Sequence, residues 1–342
     1  MNTQAPTHRP SRITRAIALL EYLAPAWFAM VMGWCGLSQA WLRATDIFGD
    51  TALGLGLVAA IFAQLIFILL CLACIVRLQV HPNAVAADMR HPVRHAFMAT
   101  LPVSILLLAS LGINLFWGTD RTLDTALTFL WCVGSLLEVA ATAWVISRWL
   151  KASENGGIQW ATFTPVFFIP VVGNVLAPLG GVSIGLEAWA TAQFGVGLFL
   201  WVVLQTLFFV RLAQAGPLPA RLAPSLFITI VPPSISGLSL LQLDAPLSAA
   251  WMMWGVGAFF LLLALTQIAA IREQPFSMAH WGMSFPLAAF TSLTLRMTHA
   301  PGGAWLQFPA TLLLAITSLL IVGLTLNTWH GLRRGHLLAP EK

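Results

Sequence analysis

Apolar residues run along this chain in long blocks separated by short polar stretches. Blocks long enough to cross a ~30 Å hydrocarbon core fall at 17–41, 53–77, 95–117, 125–148, 163–184, 189–212, 222–243, 249–271, 278–298 and 306–329. The pattern predicts an all-α integral membrane protein of ten transmembrane helices. It divides into an N-terminal tail over 1–16, a helical domain over 17–330 and a C-terminal tail over 331–342. Trp41, Trp117, Trp149, Trp160, Trp189, Trp251, Trp305 and Trp329 sit near block ends, where an amphipathic ring prefers the membrane–water interface. The first block is longer than the h-region of a secretory signal, so it reads as a full span and no cleavable signal is expected.

Proline divides the blocks into two kinds. The odd ones carry it internally, at Pro25, Pro102, Pro165, Pro170, Pro178, Pro224, Pro232, Pro233 and Pro286; the even ones carry none except Pro309, at the start of the tenth. An interior proline removes a helix hydrogen bond and clashes with the preceding turn. In lipid, such breaks are tolerated where protein or a wet cavity satisfies the freed carbonyl. The odd helices should therefore face the interior and the even ones lipid. Five helical hairpins in a quasi-fivefold arrangement follow, with kinks at Pro25, Pro102, Pro170, Pro232 and Pro286 lining a central pore.

Charge supports this reading and orients it. Only 8% of the residues are charged and 58% are hydrophobic, so water cannot be the main solvent of the surface. The net charge of +5 lies in loops rather than on one face, which points to a lipid bilayer as partner and not to nucleic acid. With the N-terminus inside, every Lys and Arg among the 17 falls on the inner side except Arg43, Arg121 and Arg296. That asymmetry predicts a multi-pass protein of the inner (plasma) membrane with both termini cytoplasmic.

The odd blocks offer hydroxyls, amides and backbone but no acid in their middles. Rings of Asp or Glu select cations. Their absence, with positive charge at the ends, favours small inorganic or organic anions. Asn174 and Ser284 are candidate polar residues of the pathway. Glu138, in the fourth block, is the one acid deep in a span. An intramembrane acid is a candidate for proton coupling, or a protonated packing residue on an outer helix.

Other chemistries find little support. The eight histidines lie in tails, loops or helix ends, so axial haem ligation is not expected. Cys71 and Cys74 form a CxxC, but with no second Cys or His pair nearby they read as small apolar residues of one helix face. No nucleophile elbow, HExxH or close acid pair is present. No enzyme activity, cofactor or metal is expected.

Several stretches resemble the tellurite-resistance/dicarboxylate transporter family, which includes the bacterial TehA proteins and the plant slow-type anion channels. Residues 25–41 (PAWFAMVMGWCGLSQAW) are similar to its first helix, and 91–109 (HPVRHAFMATLPVSILLLA) to its third. Residues 165–178 (PVFFIPVVGNVLAP) are similar to its fifth, and 254–290, from WGVGAFFLLLAL to WGMSFPLAAF, to its eighth and ninth. The resemblance implies ten helices in quasi-fivefold hairpins, a homotrimer with one pore per protomer, and a pore-plugging phenylalanine at Phe285. Local chemistry suits that role. Pro286 cannot donate to the Gly282 carbonyl, and it biases Phe285 away from ordinary helix geometry. An apolar ring at such a break can keep a narrow path dry. The expected function is a passive anion channel gated by Phe285. The alternative on the same fold is a proton-coupled or facilitated carrier of C4-dicarboxylate, sulfite or tellurite.

Overall fold

The computed structural model describes residues 17–150 and 160–339. The expected tail at 1–16 and the last three residues lie outside it, as does Lys151. Among the described residues the chain is helical. We number the principal helices α1 (Ala29–Leu42), α2 (Asp50–Val80), α3 (Thr100–Phe116), α4 (Arg121–Leu150), α5 (Ile169–Val175), α6 (Glu187–Ala215), α7 (Val231–Gln242), α8 (Leu247–Leu265), α9 (Ser284–Met297) and α10 (Gln307–Arg333). Among the described residues, seven segments are long and apolar enough to cross a membrane. They are the five even-numbered helices together with 94–116 and 220–242. The remaining three, 25–42, 165–181 and 278–297, are helical but shorter or interrupted.

Odd and even helices differ in construction. The even ones are continuous, from 19 residues in α8 to 31 in α2. Each odd one is preceded directly by a 3-10 stretch: Pro25–Phe28, Arg94–Ala99, Pro165–Phe168, Ala220–Ile230 and Met278–Met283. The prolines account for the switch. Pro170 and Pro232 are the second residues of α5 and α7, and Pro102 and Pro286 the third residues of α3 and α9. A proline in the first turn of an α-helix costs little there, but it cannot donate to the carbonyl four residues back. The turn before it closes with tighter i→i+3 bonds instead. Thr100 N–H donates to Phe97 O, Ile169 N–H to Val166 O, Val231 N–H to Ile228 O and Ser284 N–H to Trp281 O. The expected kinks within α-helices are thus junctions between two helix types. Pro25 differs, since it opens its 3-10 stretch rather than following it.

Packing builds two layers from these parts. Successive helices pair as hairpins, α1 with α2, α3 with α4, α5 with α6, α7 with α8 and α9 with α10. The odd helices also pack on one another in chain order, and α9 returns to α1, so the inner layer closes as a five-membered ring. Burial follows the layers. The apolar windows of 94–116 and 220–242 are 78% and 83% buried, against 17% for α2 and 33% for α4. Phe129, Phe199, Leu262 and Leu319 of the outer layer point outward, which suits a lipid-facing surface.

Small residues and hydroxyls join the layers, as expected where hydrophobicity gives helices no preference for each other over lipid. Ser38 Oγ of α1 donates to Gly56 O of α2 at 2.7 Å, and within the inner layer Ser239 Oγ donates to Val175 O at 2.6 Å. Gly197 of α6 lies so close to α5 that a Cβ would stand 2.7 Å from Val175 Cγ1 and 2.8 Å from its backbone nitrogen. A backbone atom cannot rotate aside. Gly197→Ala should therefore force the hairpin apart and destabilise the protein by about 1–3 kcal/mol, measured as a lowered thermal midpoint in detergent.

Candidate functional site

The ring encloses two cavities on its axis. The wider, of about 80 Å³, is lined by the early part of every inner segment, including Ala29, Phe97, Ile169, Ile228 and Gly282. The narrower, of about 20 Å³, is lined by the later part, including Gly36, Leu107, Leu176, Ile235 and Ala289. The lining positions recur at intervals of three and four residues along each segment, so each segment turns one stripe toward the axis. Among the described residues, neither lining contains an Asp or a Glu.

Phe285 lines both cavities. Its ring is 4% exposed and stands between them. Two glycines of α1 make room for the start of α9. A Cβ on Gly33 would lie 2.5 Å from Ser284 Oγ, and one on Gly36 would lie 3.0 Å from Phe285 Cδ2. The α9 backbone therefore sits against α1 with the Phe285 ring over Gly36.

The wide cavity is almost wholly apolar. Its two hydroxyl side chains are tied to backbone: Thr100 Oγ1 donates to Pro25 O at 2.9 Å or Phe97 O at 2.6 Å, and Ser225 Oγ donates to Leu222 O at 2.6 Å. The narrow cavity carries more polarity, from Gln39, Arg43, Ser110 and Ser292. All five inner segments run the same way, so their N-terminal ends gather at the wide cavity and their C-terminal ends at the narrow one. Partial positive charge faces the wide entrance, and Arg43 offsets the C-terminal carbonyls at the other.

The structure does not bring every sequence candidate to the axis. Pro286 lines the wide cavity, while Pro25, Pro102, Pro170 and Pro232 act from behind it, at the helix junctions. Asn174 lines neither cavity. It lies between α5 and its neighbours, where its Nδ2 donates to Thr142 Oγ1 at 2.7 Å and Pro170 O at 2.8 Å. Gln193 Nε2 reaches its Oδ1 at 3.3 Å. Ser284 turns its hydroxyl back to Trp281 O at 2.7 Å. Glu138 is fully buried at the α4–α5 contact, against Gly173, with neither carboxyl oxygen hydrogen-bonded among the described residues. Sequence reasoning passed over Gln39, Ser110 and Ser292. Their signal is polarity at matching depth near the end of three odd segments.

An apolar ring of five helices around axial cavities, with an aromatic side chain between them, fits a membrane transport protein. Residues 22–329 match the family described as voltage-dependent anion channel, and the chain belongs to that family. An uncharacterized transporter of Methanocaldococcus jannaschii is 25% identical over 80% of this chain and 83% of its own length. An S-type anion channel of Arabidopsis thaliana is 25% identical over 71% of this chain and 46% of its own length, so the chain spans less than half of that relative. A tellurite resistance protein TehA homolog of Haemophilus influenzae is 22% identical over 92% of both chains.

Proposed function

We propose that this protein is a passive channel for small anions in the inner (plasma) membrane, closed by the Phe285 ring. The observation that carries this reading is the position of Phe285 between two axial cavities whose linings hold no carboxylate among the described residues. A path without acidic groups gives cations no partner to replace their hydration, while the N-terminal ends of five parallel segments favour negative charge at the wide entrance. Both termini lie in the cytoplasm, so the wide cavity faces inward. The protein assembles as a homotrimer with one path per protomer, which the mass of the purified detergent complex will test.

The test of anion selectivity is the reversal potential of Phe285→Ala in planar bilayers under a potassium chloride gradient. Reversal near the chloride equilibrium potential is expected. Reversal at the potassium potential would overturn the reading. Glu138 favours a second reading, a coupled carrier of C4-dicarboxylate, sulfite or tellurite, because a buried acid without a counter-charge can take up a proton. On that reading Glu138→Gln abolishes proton-driven uptake into vesicles. On the channel reading it leaves the current unchanged.

A further inference from the structure

We propose that three tryptophans at the narrow-cavity end of the fold, Trp251, Trp254 and Trp305, form a seat for the ammonium headgroup of a zwitterionic phospholipid. The seat lies in the outer layer, away from the axis, so it stands independently of the channel reading.

The geometry of the cluster is the first observation. Trp254 of α8 is fixed against α9. Its ring stacks on Phe290 at 5.9 Å and 27°, and its Nε1 donates to Thr294 Oγ1 at 3.1 Å. Trp251, one turn earlier on α8, meets it at 5.9 Å and 76°. Trp305, just before α10, meets it at 5.6 Å and 87°. One fixed ring therefore joins α8 to the start of α10, with two nearly perpendicular rings beside it. Trp305 is 60% exposed and Trp251 is partly buried, so both keep ring surface open at the level where membrane meets water.

Charge is the second. The face of an indole ring is electron-rich and attracts a cation within about 6 Å of its centroid. At the wide-cavity end the chain supplies such cations itself. The Arg148 guanidinium stands 5.7 Å from the Trp144 ring centroid, and that of Arg333 stands 4.6 Å from the Trp329 ring centroid. Among the described residues no Lys or Arg stands over Trp251, Trp254 or Trp305. The cation that complements these faces comes from outside the chain.

The surroundings refine its class. The even helices all begin at this end. α2, α4 and α6 carry Asp50, Asp124 and Glu187 in their first turns. α8 and α10 carry no acid there, so no side chain offsets the partial positive charge of their first turns. A headgroup that holds a phosphate and an ammonium complements both the helix starts and the rings. An anionic headgroup complements the helix starts alone. Further along the same two helices, Phe259 and Leu312 are exposed, which gives acyl chains an apolar surface. Phosphatidylethanolamine has this combination of groups.

The experiment is the thermal midpoint of the full chain in detergent, titrated in mixed micelles with phosphatidylethanolamine or with phosphatidylglycerol of identical acyl chains. A lipid that binds the folded state raises the midpoint as its concentration rises. Wild type should half-saturate with phosphatidylethanolamine at about tenfold lower concentration than with phosphatidylglycerol, as expected for an ammonium shared between ring faces. Trp305→Leu keeps an apolar side chain but removes the ring. It should raise the half-saturating phosphatidylethanolamine concentration about threefold and leave the phosphatidylglycerol curve in place. Trp305→Phe, with a weaker ring face, should fall between. Trp251→Leu and Trp305→Leu together should abolish the preference. Trp305 is exposed, so its single variants keep the test available should the double variant fail to fold. Equal curves for the two lipids in wild type, or an undiminished preference in Trp305→Leu, would overturn the seat. Soluble glycerophosphoethanolamine should produce no shift, and a shift equal to that of the lipid would assign the rings to a free solute instead. A changed mass of the detergent complex in Trp305→Leu, with lipid preference intact, would make the cluster a contact between copies of the chain and likewise overturn the proposal. No conductance enters the readout, so the seat and the channel reading fail separately.

Discussion

Replacing Phe285 with alanine should raise anion conductance at least about tenfold over wild type in reconstituted bilayers. The ring is the feature shared by the two axial cavities, and it fills the space between them. Truncation to a methyl group joins an 80 Å³ cavity to a 20 Å³ one. A tenfold gain asks for only ~1.4 kcal/mol off the barrier to passage, a modest demand for removing an apolar constriction that excludes water. Side-chain size should grade the effect, with Phe285→Leu between wild type and alanine. Phe285→Trp should conduct no better than wild type. The seat of the ring sharpens the expectation. Ser284 and Phe285 pack into the space left by Gly33 and Gly36 of α1, so the backbone of α9 is braced and the alanine variant should keep its fold. Equal conductance for wild type and Phe285→Ala, with both proteins folded, would show that the barrier lies elsewhere.

The layering of the fold was legible in the sequence because it rests on local chemistry. Pro102, Pro170, Pro232 and Pro286 each force a change of hydrogen bonding at a fixed point, and that change occurs in four of the five odd segments whatever their neighbours. The form of the break was not legible. A proline reads the same in sequence whether it bends an α-helix or stands in its first turn after a 3-10 stretch, and only the bonds around it decide. The same limit governed the polar residues. Asn174 and Ser284 are as polar as Gln39 and Ser292, yet the first pair turns into the protein and the second lines a cavity. Rotation of a helix about its axis by about 100° per residue decides which side chain meets the path. Neighbouring polar positions on a wholly buried segment leave no exposed face from which to read that rotation. Glu138 shows a related effect. Its helix is mostly exposed, but the residue lies on the stripe that meets Gly173, so its burial was set by a partner more than thirty positions away.

Removing the carboxylate of Asp88 should destabilise the protein by about 3 kcal/mol, the cost of leaving a buried charge without its partner. Asp88 lies on the short helix Pro82–Arg90, which links α2 to the 3-10 stretch before α3. Its two oxygens meet different cations, Arg77 Nη2 at 2.7 Å and Arg94 Nε at 3.3 Å. The Arg77 and Asp88 side chains are 6% and 4% exposed, so water screens the pair poorly. Arg77 also donates to Glu21 O at 3.1 Å, a carbonyl that replaces part of what the carboxylate gives but none of its charge. Asp88→Ala should therefore lower the thermal midpoint in detergent far more than Asp46→Ala, whose side chain is 71% exposed beside His299. Exchanging both partners, with Arg77→Met and Asp88→Leu together, should recover most of the loss, because a buried pair replaced by apolar groups of similar size is close to neutral and the one-third exposed Arg94 can turn to water. The pair matters to the path as well as to stability. Val93 and Phe97 follow this helix directly and line the wide cavity, so the carboxylate anchors the wall of the wide entrance to the end of α2. A midpoint for Asp88→Ala within 0.5 kcal/mol equivalents of wild type, the range of ordinary surface substitutions, would mean that the anchor is held by packing and not by charge.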